Sequence, residues 1–378
     1  MKNKKFWNVI FILCFFLISI IIVCLNYFID PYEYKIENRK KYRNISIYSI
    51  RNDMIYTYIN KTKNIKIDSL VVGSSPVMSL FDVDLFSCYT GKTIASLAYP
   101  NMTPFETYEL LKYFISVHPE VNNAYISIDV TTYLTNCGEG TVLSSKPTNF
   151  FQDFINSYYS IDTLKFSLKK LWNSLQRQER IKNVGYPINM KKKYTYSALN
   201  CEYEKCIDIN TRQLRKIKTL LDANNIKVTY FFTPLHSLYL SDMYKNDKLE
   251  LIENLKRSIV KVTSFYDFAF INRHTVEPFE YFWADVTHAL PFINSKVYDI
   301  LVNEQMNTDL AIIVDLENVE ELLLKQRSLI QNYIMNNIEY VDEYVNLTLN
   351  EAEVVASTEI RKAPKVPEDC NGISKCFK

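Results

Sequence analysis

From Phe6 to Leu25 the chain runs through twenty residues whose only clearly polar members are Asn8 and Ser19. As a helix rising about 1.5 Å per residue, that run covers roughly 30 Å, the depth of a bilayer's hydrocarbon core. It therefore predicts a membrane-spanning helix and leaves the globular domain to the residues after about 30. Lys2, Lys4 and Lys5 stand before the run, which predicts a cytoplasmic amino terminus and an exported remainder. A cleaved signal peptide is the rival reading, but the run exceeds the usual apolar core of about 7 to 15 residues and no small-x-small site follows. Cys24 suggests a lipoprotein site, yet Val23 stands where a small residue is needed. The expectation is an uncleaved single-pass anchor over residues 1–30, with the membrane as a partner.

What remains of a 378-residue chain with 48% hydrophobic content is enough for one large domain plus an appendage. A net charge of +2, from 44 basic and 42 acidic residues, provides no basic field for nucleic acid, which is not expected as a partner. Of eight cysteines, Cys14 and Cys24 fall in the anchor. An exported location permits disulfides among the other six. Cys201 with Cys206 and Cys370 with Cys376 are near neighbours, and Cys88 with Cys137 would complete a set, although spacing leaves the connectivity open.

Asp30-Pro31 is a stop and turn signal, and the basic, tyrosine-rich stretch Lys35 to Lys66 predicts a helix with a solvated face near the headgroups. Then Asp68-Ser69-Leu70-Val71-Val72-Gly73-Ser74-Ser75-Pro76-Val77-Met78 passes from a β-branched run through Gly-Ser-Ser into a helical pattern. This is a strand, a sharp turn and a helix. Met78 to Phe86 reads as a short helix and Lys92 to Tyr99 as the next strand. Thr103-Pro104-Phe105-Glu106 is a capping box opening a helix with Tyr108, Leu111 and Ile115 on one face. Ala124 to Val130 follows as a buried strand carrying Asp129 near its end. Strand and helix resume with Lys227 to Thr233, Lys248 to Val262 and Phe265 to Phe268, and Ser295 to Asn303 is expected as the last helix of the fold.

The alternation predicts an α/β fold with a doubly wound parallel sheet. An insertion over residues 137–206 interrupts it, containing one expected helix near Asn149 to Leu175, and is expected to form a lid or side wall of a cleft. The domain is read as 31–306, with a helical extension and loose tail at 307–378.

Two blocks carry chemistry. Ser75, after a strand that ends at Gly73, is a candidate nucleophile, and ligands bind at the carboxyl ends of strands in such sheets. An ordinary loop with a serine helix cap is the competing reading. Far downstream stands Asp285-Val286-Thr287-His288. On a helical turn residues i and i+3 share a face, so Asp285 is expected to orient His288 while the other imidazole nitrogen faces the serine. His288, with an unperturbed pKa near neutrality, is the candidate base.

The order Ser, Asp, His, with the last two only three positions apart, resembles the SGNH (GDSL-like) hydrolase superfamily. Its Gly-Asp-Ser block is matched by Gly73-Ser74-Ser75 and its closing Asp-x-x-His block by Asp285 and His288. The Gly-Ser-Ser variant, the amino-terminal anchor and the nearby Asp-Pro look like the membrane-anchored branch found with bacterial surface polysaccharide genes. That branch includes the D-alanyl transfer protein of the teichoic acid pathway. The resemblance covers roughly residues 26–305. It implies a flavodoxin-like sheet and a serine esterase or O-acyltransferase acting through an acyl-serine on an extracytoplasmic polysaccharide or acylated glycan. A membrane-bound acyl donor protein is a partner it allows, and it calls for no cofactor.

The same resemblance implies oxyanion donors from two further blocks. Here these read Ser96-Leu97-Ala98-Tyr99-Pro100-Asn101, with Asn101 in place of glycine, and Ser127-Ile128-Asp129, with Asp129 in place of asparagine. Asn101 tolerates a left-handed backbone and its N–H can still serve. An ionised Asp129 cannot donate. Ser74 could compete for the nucleophile's role, and His236, at a strand end, could approach the same cleft or be a structural histidine. His118, before Pro119, reads as a surface cap. A metal site from His236, His274, Asp285 and His288 is the lesser alternative, because it leaves the serine turn unexplained. Beside the enzyme stands a second class, a non-catalytic glycan-binding or assembly subunit that keeps the fold.

Overall fold

The computed structural model describes residues 2–29, 45–46, 55–138, 155, 158–175, 203–276, 283–289, 291–306 and 308–345. The expected turn at Asp30-Pro31, most of the expected helix at 35–66, most of the insertion, Cys201, Cys370, Cys376 and the tail beyond 345 lie outside them. The described residues group into two compact units. One takes residues 1–43, 49–64 and 142–181, the other 44–48, 65–141 and 182–378.

In the first unit, α1 (Lys2–Ile29) contains an apolar stretch, Phe6–Ile29, long enough to cross a membrane. α2 (Ile55–Lys61) is short. The third described helix of this unit, Ile161–Leu175, packs against α1.

The second unit is an α/β sheet domain. In chain order it runs through β1 (Ile45–Ser46), β2 (Ser69–Gly73), α3 (Ser75–Leu80), α4 (Val83–Thr90), β3 (Ile94–Ala98), α5 (Pro104–Val117), β4 (Asn123–Ile128) and α6 (Val130–Thr135). With Ile161–Leu175 numbered α7, there follow α8 (Tyr203–Ala223), β5 (Lys227–Phe232), α9 (Ser237–Lys245), α10 (Leu249–Val260) and β6 (Phe265–Asp267). The chain then makes β7 (Trp283–Asp285), β8 (His288–Ala289), α11 (Pro291–Val302), β9 (Ile312–Val314), α12 (Val319–Asn336) and α13 (Ile338–Val345).

Among the described residues seven strands form one sheet in the order β1, β3, β2, β4, β5, β6, β9. Every pairing is parallel except the last, β6 with β9. β2 and β3 are buried at every residue and β4 at all but its first. Successive side chains point to opposite faces, so these strands are covered on both sides and read as unbroken apolar runs. Fully burying residues such as Val72, Leu97, Ile128 and Phe232 is worth about 1.5 to 3 kcal/mol each.

Local chemistry explains where the helices begin. Thr103 Oγ1 accepts from the Glu106 N–H at 3.2 Å while Glu106 accepts from the Thr103 N–H at 2.9 Å, so the predicted capping box is made. The face it opens buries Leu110, Leu111, Phe114 and Ile115, leaving Tyr108 at the rim. The single helix expected over Met78 to Phe86 is two, because Asp82 accepts from the N–H groups of Asp84 and Leu85 and so starts α4. α8 carries Ile207, Leu214, Ile217 and Leu221 inward. It packs on α5, α6 and α10, and buried Asn210 donates to the carbonyls of Tyr133 and Asn136 at the end of α6.

The boundary read at residue 306 does not separate the sheet from an extension, since β9 extends the sheet beside β6. α12 is tied to the same edge: the buried Lys256 ammonium donates to Asp267 and Gln326. α11 is therefore not the last helix packed on this domain. The cysteines also differ from the near-neighbour set. Cys137 is bonded to Cys206, closing the insertion at its two ends, and Cys88 is disulfide-bonded as well.

Candidate active site at the strand ends

The register lines up the carboxyl ends of the parallel strands. Gly73 pairs with Ala98, Val72 with Ile126, Ile128 with Phe232, and Phe232 with Asp267. The segments leaving these ends carry Ser74 and Ser75, Asn101, Asp129 and His236, which places four of the predicted site positions (Ser75, Asn101, Asp129, His236) along one edge of the sheet.

Glycine at the end of β2 is a packing requirement. A Cβ there would lie 2.4 Å from both Ser127 Oγ and Val77 Cγ2. The turn that follows is held by its first serine: Ser74, buried, makes no side-chain cap for α3 and instead donates its hydroxyl to Asp129 Oδ2. Asp129 also accepts from the Thr131 N–H and hydroxyl and from the Thr132 hydroxyl, and caps α6. Its two oxygens are thus committed as acceptors, so Asp129 is a positioning group and offers nothing to an oxyanion. Ser75 opens α3 and is half-buried. Tyr99 donates its N–H to the Gly73 carbonyl, and the turn beyond it places exposed Asn101 at φ 58°, the left-handed conformation its side chain tolerates.

Asp285 and His288 do not share a helical turn. They are Cα partners in the antiparallel hairpin of β7 and β8, joined through Val286 and Thr287. Cross-strand partner positions lie on one side of such a ribbon, so the three-residue spacing juxtaposes them by a different geometry from the expected one. The side chain of Asp285 lies outside the described residues. His288 is buried, with its Nδ1 3.1 Å from Thr287 Oγ1.

Two connections bring the hairpin to the strand edge. α3, which begins at Ser75, packs against β8, which begins at His288. The His236 N–H donates to the Val286 carbonyl at 2.9 Å. His236 is itself buried and caps α9, its Nδ1 accepting from the Leu238 N–H at 3.2 Å. It anchors the hairpin at the strand edge.

α11 holds the other end of the serine helix. Asn294 donates to the Ser79 carbonyl, and the Tyr298 hydroxyl donates to the Leu80 carbonyl while accepting from the Asp82 N–H. Burial pushes the Tyr298 phenol far up, so it keeps its proton and remains a donor. Neither residue stood out in the sequence, because an apolar helical pattern absorbs a core tyrosine without comment. Thr287, Thr131 and Thr132 were equally silent.

Among the described residues no group of three or more His, Cys, Asp and Glu side chains is arranged to hold a metal ion. Nε2 of His274 lies 3.1 Å from Arg273 Nε and 3.3 Å from Lys296 Nζ. Burial, then Lys296 and Arg273, lower its pKa. His118 does cap the end of α5, but it is buried, stacked on Phe114 and 3.1 Å from Glu120, so the expected surface position is corrected. Most of the segment expected to form a lid lies outside the described residues; its described helix, α7, packs against α1 within the first unit. No protein-family model matches the sequence, and no curated protein matches it.

Proposed function

We propose that this protein is a membrane-anchored serine esterase or O-acyltransferase that acts on an extracytoplasmic glycan, with Ser75 as nucleophile and His288 as base. The observation that carries the reading is the packing of the helix that begins at Ser75 against the strand that begins at His288, at the carboxyl edge of a largely parallel sheet. The order β3, β2, β4, β5, β6 is that of flavodoxin-like sheets, in which this edge is where ligands bind, and so it supports the resemblance to SGNH hydrolases.

In the proposed reaction His288 takes the Ser75 proton as Oγ attacks an ester carbonyl. The proton passes to the departing alcohol oxygen, leaving an acyl-serine. Water or a sugar hydroxyl then attacks that ester, releasing an acid or a new ester and regenerating the serine. Asp285, the backbone partner of His288, would hold the imidazole's tautomer. The backbone N–H of Asn101 is the candidate oxyanion donor. Lys2, Lys4 and Lys5 before the apolar span and the Cys137–Cys206 disulfide support an exported domain.

One observation favours the second reading, a glycan-binding or assembly subunit. Asp129 occupies the block expected to supply an oxyanion donor and is occupied as an acceptor. Losing one donor costs about 10² to 10³ in rate. Labelling of the full chain with a fluorophosphonate separates the two. Covalent modification of Ser75 that disappears in Ser75→Ala and in His288→Ala is expected for the enzyme. A wild-type chain that stays unlabelled leaves the binding subunit, and a Ser75→Ala chain that keeps its label overturns Ser75 as nucleophile in favour of another residue such as Ser74.

A further inference from the structure

The first unit holds a polar residue where an apolar span should not have one. Asn26 is fully buried near the end of the 24-residue stretch Phe6–Ile29. Its amide nitrogen donates to the carbonyls of Tyr158 at 2.7 Å and Ser160 at 3.2 Å, and its oxygen accepts from the Ser167 hydroxyl at 2.9 Å. Further into the span, the hydroxyls of Ser19 and Tyr159 lie 3.0 Å apart. In hydrocarbon an unpaired amide costs several kcal/mol, so these bonds bring Tyr158–Ser160 and the start of α7 to the depth of the carboxyl-terminal half of the span.

α7 is shaped for that place. Thr163 and Ser167 are fully buried on the side that carries the bond to Asn26. Around the helix from that stripe Leu171 (41%), Leu168 (49%), Ile161 (68%) and Trp172 (62%) form one exposed apolar face, while Phe166 stands apart from it on the far side of the lysines. Lys165 and Lys169, four apart and exposed, form the polar stripe opposite. Fifteen residues span about 22 Å, too short to cross a bilayer of about 30 Å. An amphipathic helix with lysines on its polar face and large apolar side chains beside it lies in the headgroup and acyl boundary, its lysines reaching the headgroups.

We infer that α7, with Tyr158–Ser160, is a second membrane-contacting element: it lies in the leaflet crossed by the carboxyl-terminal half of α1 and buries Ile161, Leu168, Leu171 and Trp172 in lipid. The occupant is phospholipid, because this exposed apolar surface continues that of α1, where Phe15, Phe16 and Ile20 are likewise more than half exposed. The inference rests on α1 spanning the bilayer.

The test uses the full wild-type chain in phosphatidylcholine and phosphatidylglycerol vesicles loaded with an apolar aryl diazirine. After photolysis the labelled peptides are mapped by mass spectrometry. The expected result is label in α1 and, at comparable density per residue, in the 161–172 peptide, with none in the 203–223 peptide of the sheet domain. Label in α1 with 161–172 unlabelled overturns this inference alone, whether water or a second copy covers the helix. An unlabelled α1 overturns the anchor and this inference together.

Discussion

Ser74 and Ser75 are neighbours with opposite environments, and the difference is set by a residue 55 positions away from Ser74. Asp129 draws the Ser74 hydroxyl away from the α3 amino terminus and leaves Ser75 as the half-buried serine of the pair. Asp129→Ala removes an acceptor that four donors use. We expect it to cost about 1 to 3 kcal/mol, the penalty for orphaned buried donors plus a lost cap. Ser74→Ala removes one bond and should cost about 0.5 to 1.5 kcal/mol. Ser75→Ala should stay within about 0.5 kcal/mol, as for a substitution outside any such network. Denaturant unfolding of the three variants checks the ranking, and equal losses at Ser74 and Ser75 would contradict it. On the proposed mechanism the order reverses in an ester-turnover assay: Ser75→Ala is expected to be inactive and Ser74→Ala only reduced.

At the scale of elements, α3 is six residues long and too short to be stable by itself. It is held by packing on β2 and β8 and by the grip of α11. Tyr298→Phe keeps the ring and deletes the hydroxyl that serves both the Leu80 carbonyl and the Asp82 N–H, so a loss of about 1 to 3 kcal/mol is expected. Hydrogen exchange at the Asp82 amide reports it directly: protection should fall in the variant, and unchanged protection would show that the grip lies elsewhere. Glu120 makes a comparable tie at the opposite end of the strands. Burial works against its charge, but hydrogen bonds from the Ile67 N–H, its own N–H and His118 prevail and hold its pKa below the ordinary value. A depressed folded-state pKa stabilises above the unfolded value, near 4.3, and that contribution is lost as pH falls through the folded one. Stability of the wild type should therefore decline below about pH 4 more steeply than that of Glu120→Gln; parallel pH curves would contradict the assignment.

The whole chain interleaves two units, and the Cys137–Cys206 bond sits where the sheet domain is interrupted. A sequence separation of 69 residues corresponds to roughly 4 kcal/mol of unfolded-state restriction on loop-entropy grounds. Thermal unfolding with and without dithiothreitol should show a large drop in midpoint on reduction. Cys206→Ser should reproduce that drop and make the remaining transition less sensitive to reductant. An unchanged midpoint would mean that packing of α8 on α5 and α10 already fixes the insertion's ends.

What the sequence determined by itself is what short-range physics controls. A twenty-residue apolar run needs no context to be read as a bilayer-length helix. Val71, Val72 and Gly73, ending at two serines, mark a buried strand and its turn, and Thr103 with Glu106 writes a helix start in side-chain hydrogen bonds four residues long. The α/β class and the strand-end positions of Ser75, Asn101, Asp129 and His236 follow from such local patterns. The tertiary structure decided everything that depends on which segments meet. Asp285 and His288 have a spacing that suits a helical turn or a hairpin equally, and only pairing in β7 and β8 selects the hairpin. Ile312 to Val314 is three residues, too short to show a period, and becomes a strand because β6 has an open edge for it. Cys137 takes Cys206 because α6 and α8 pack together, a proximity that spacing along the chain cannot express. In the sequence Asn26 simply follows the twenty-residue run, and only the structure brings the carbonyls of Tyr158 and Ser160 to its amide.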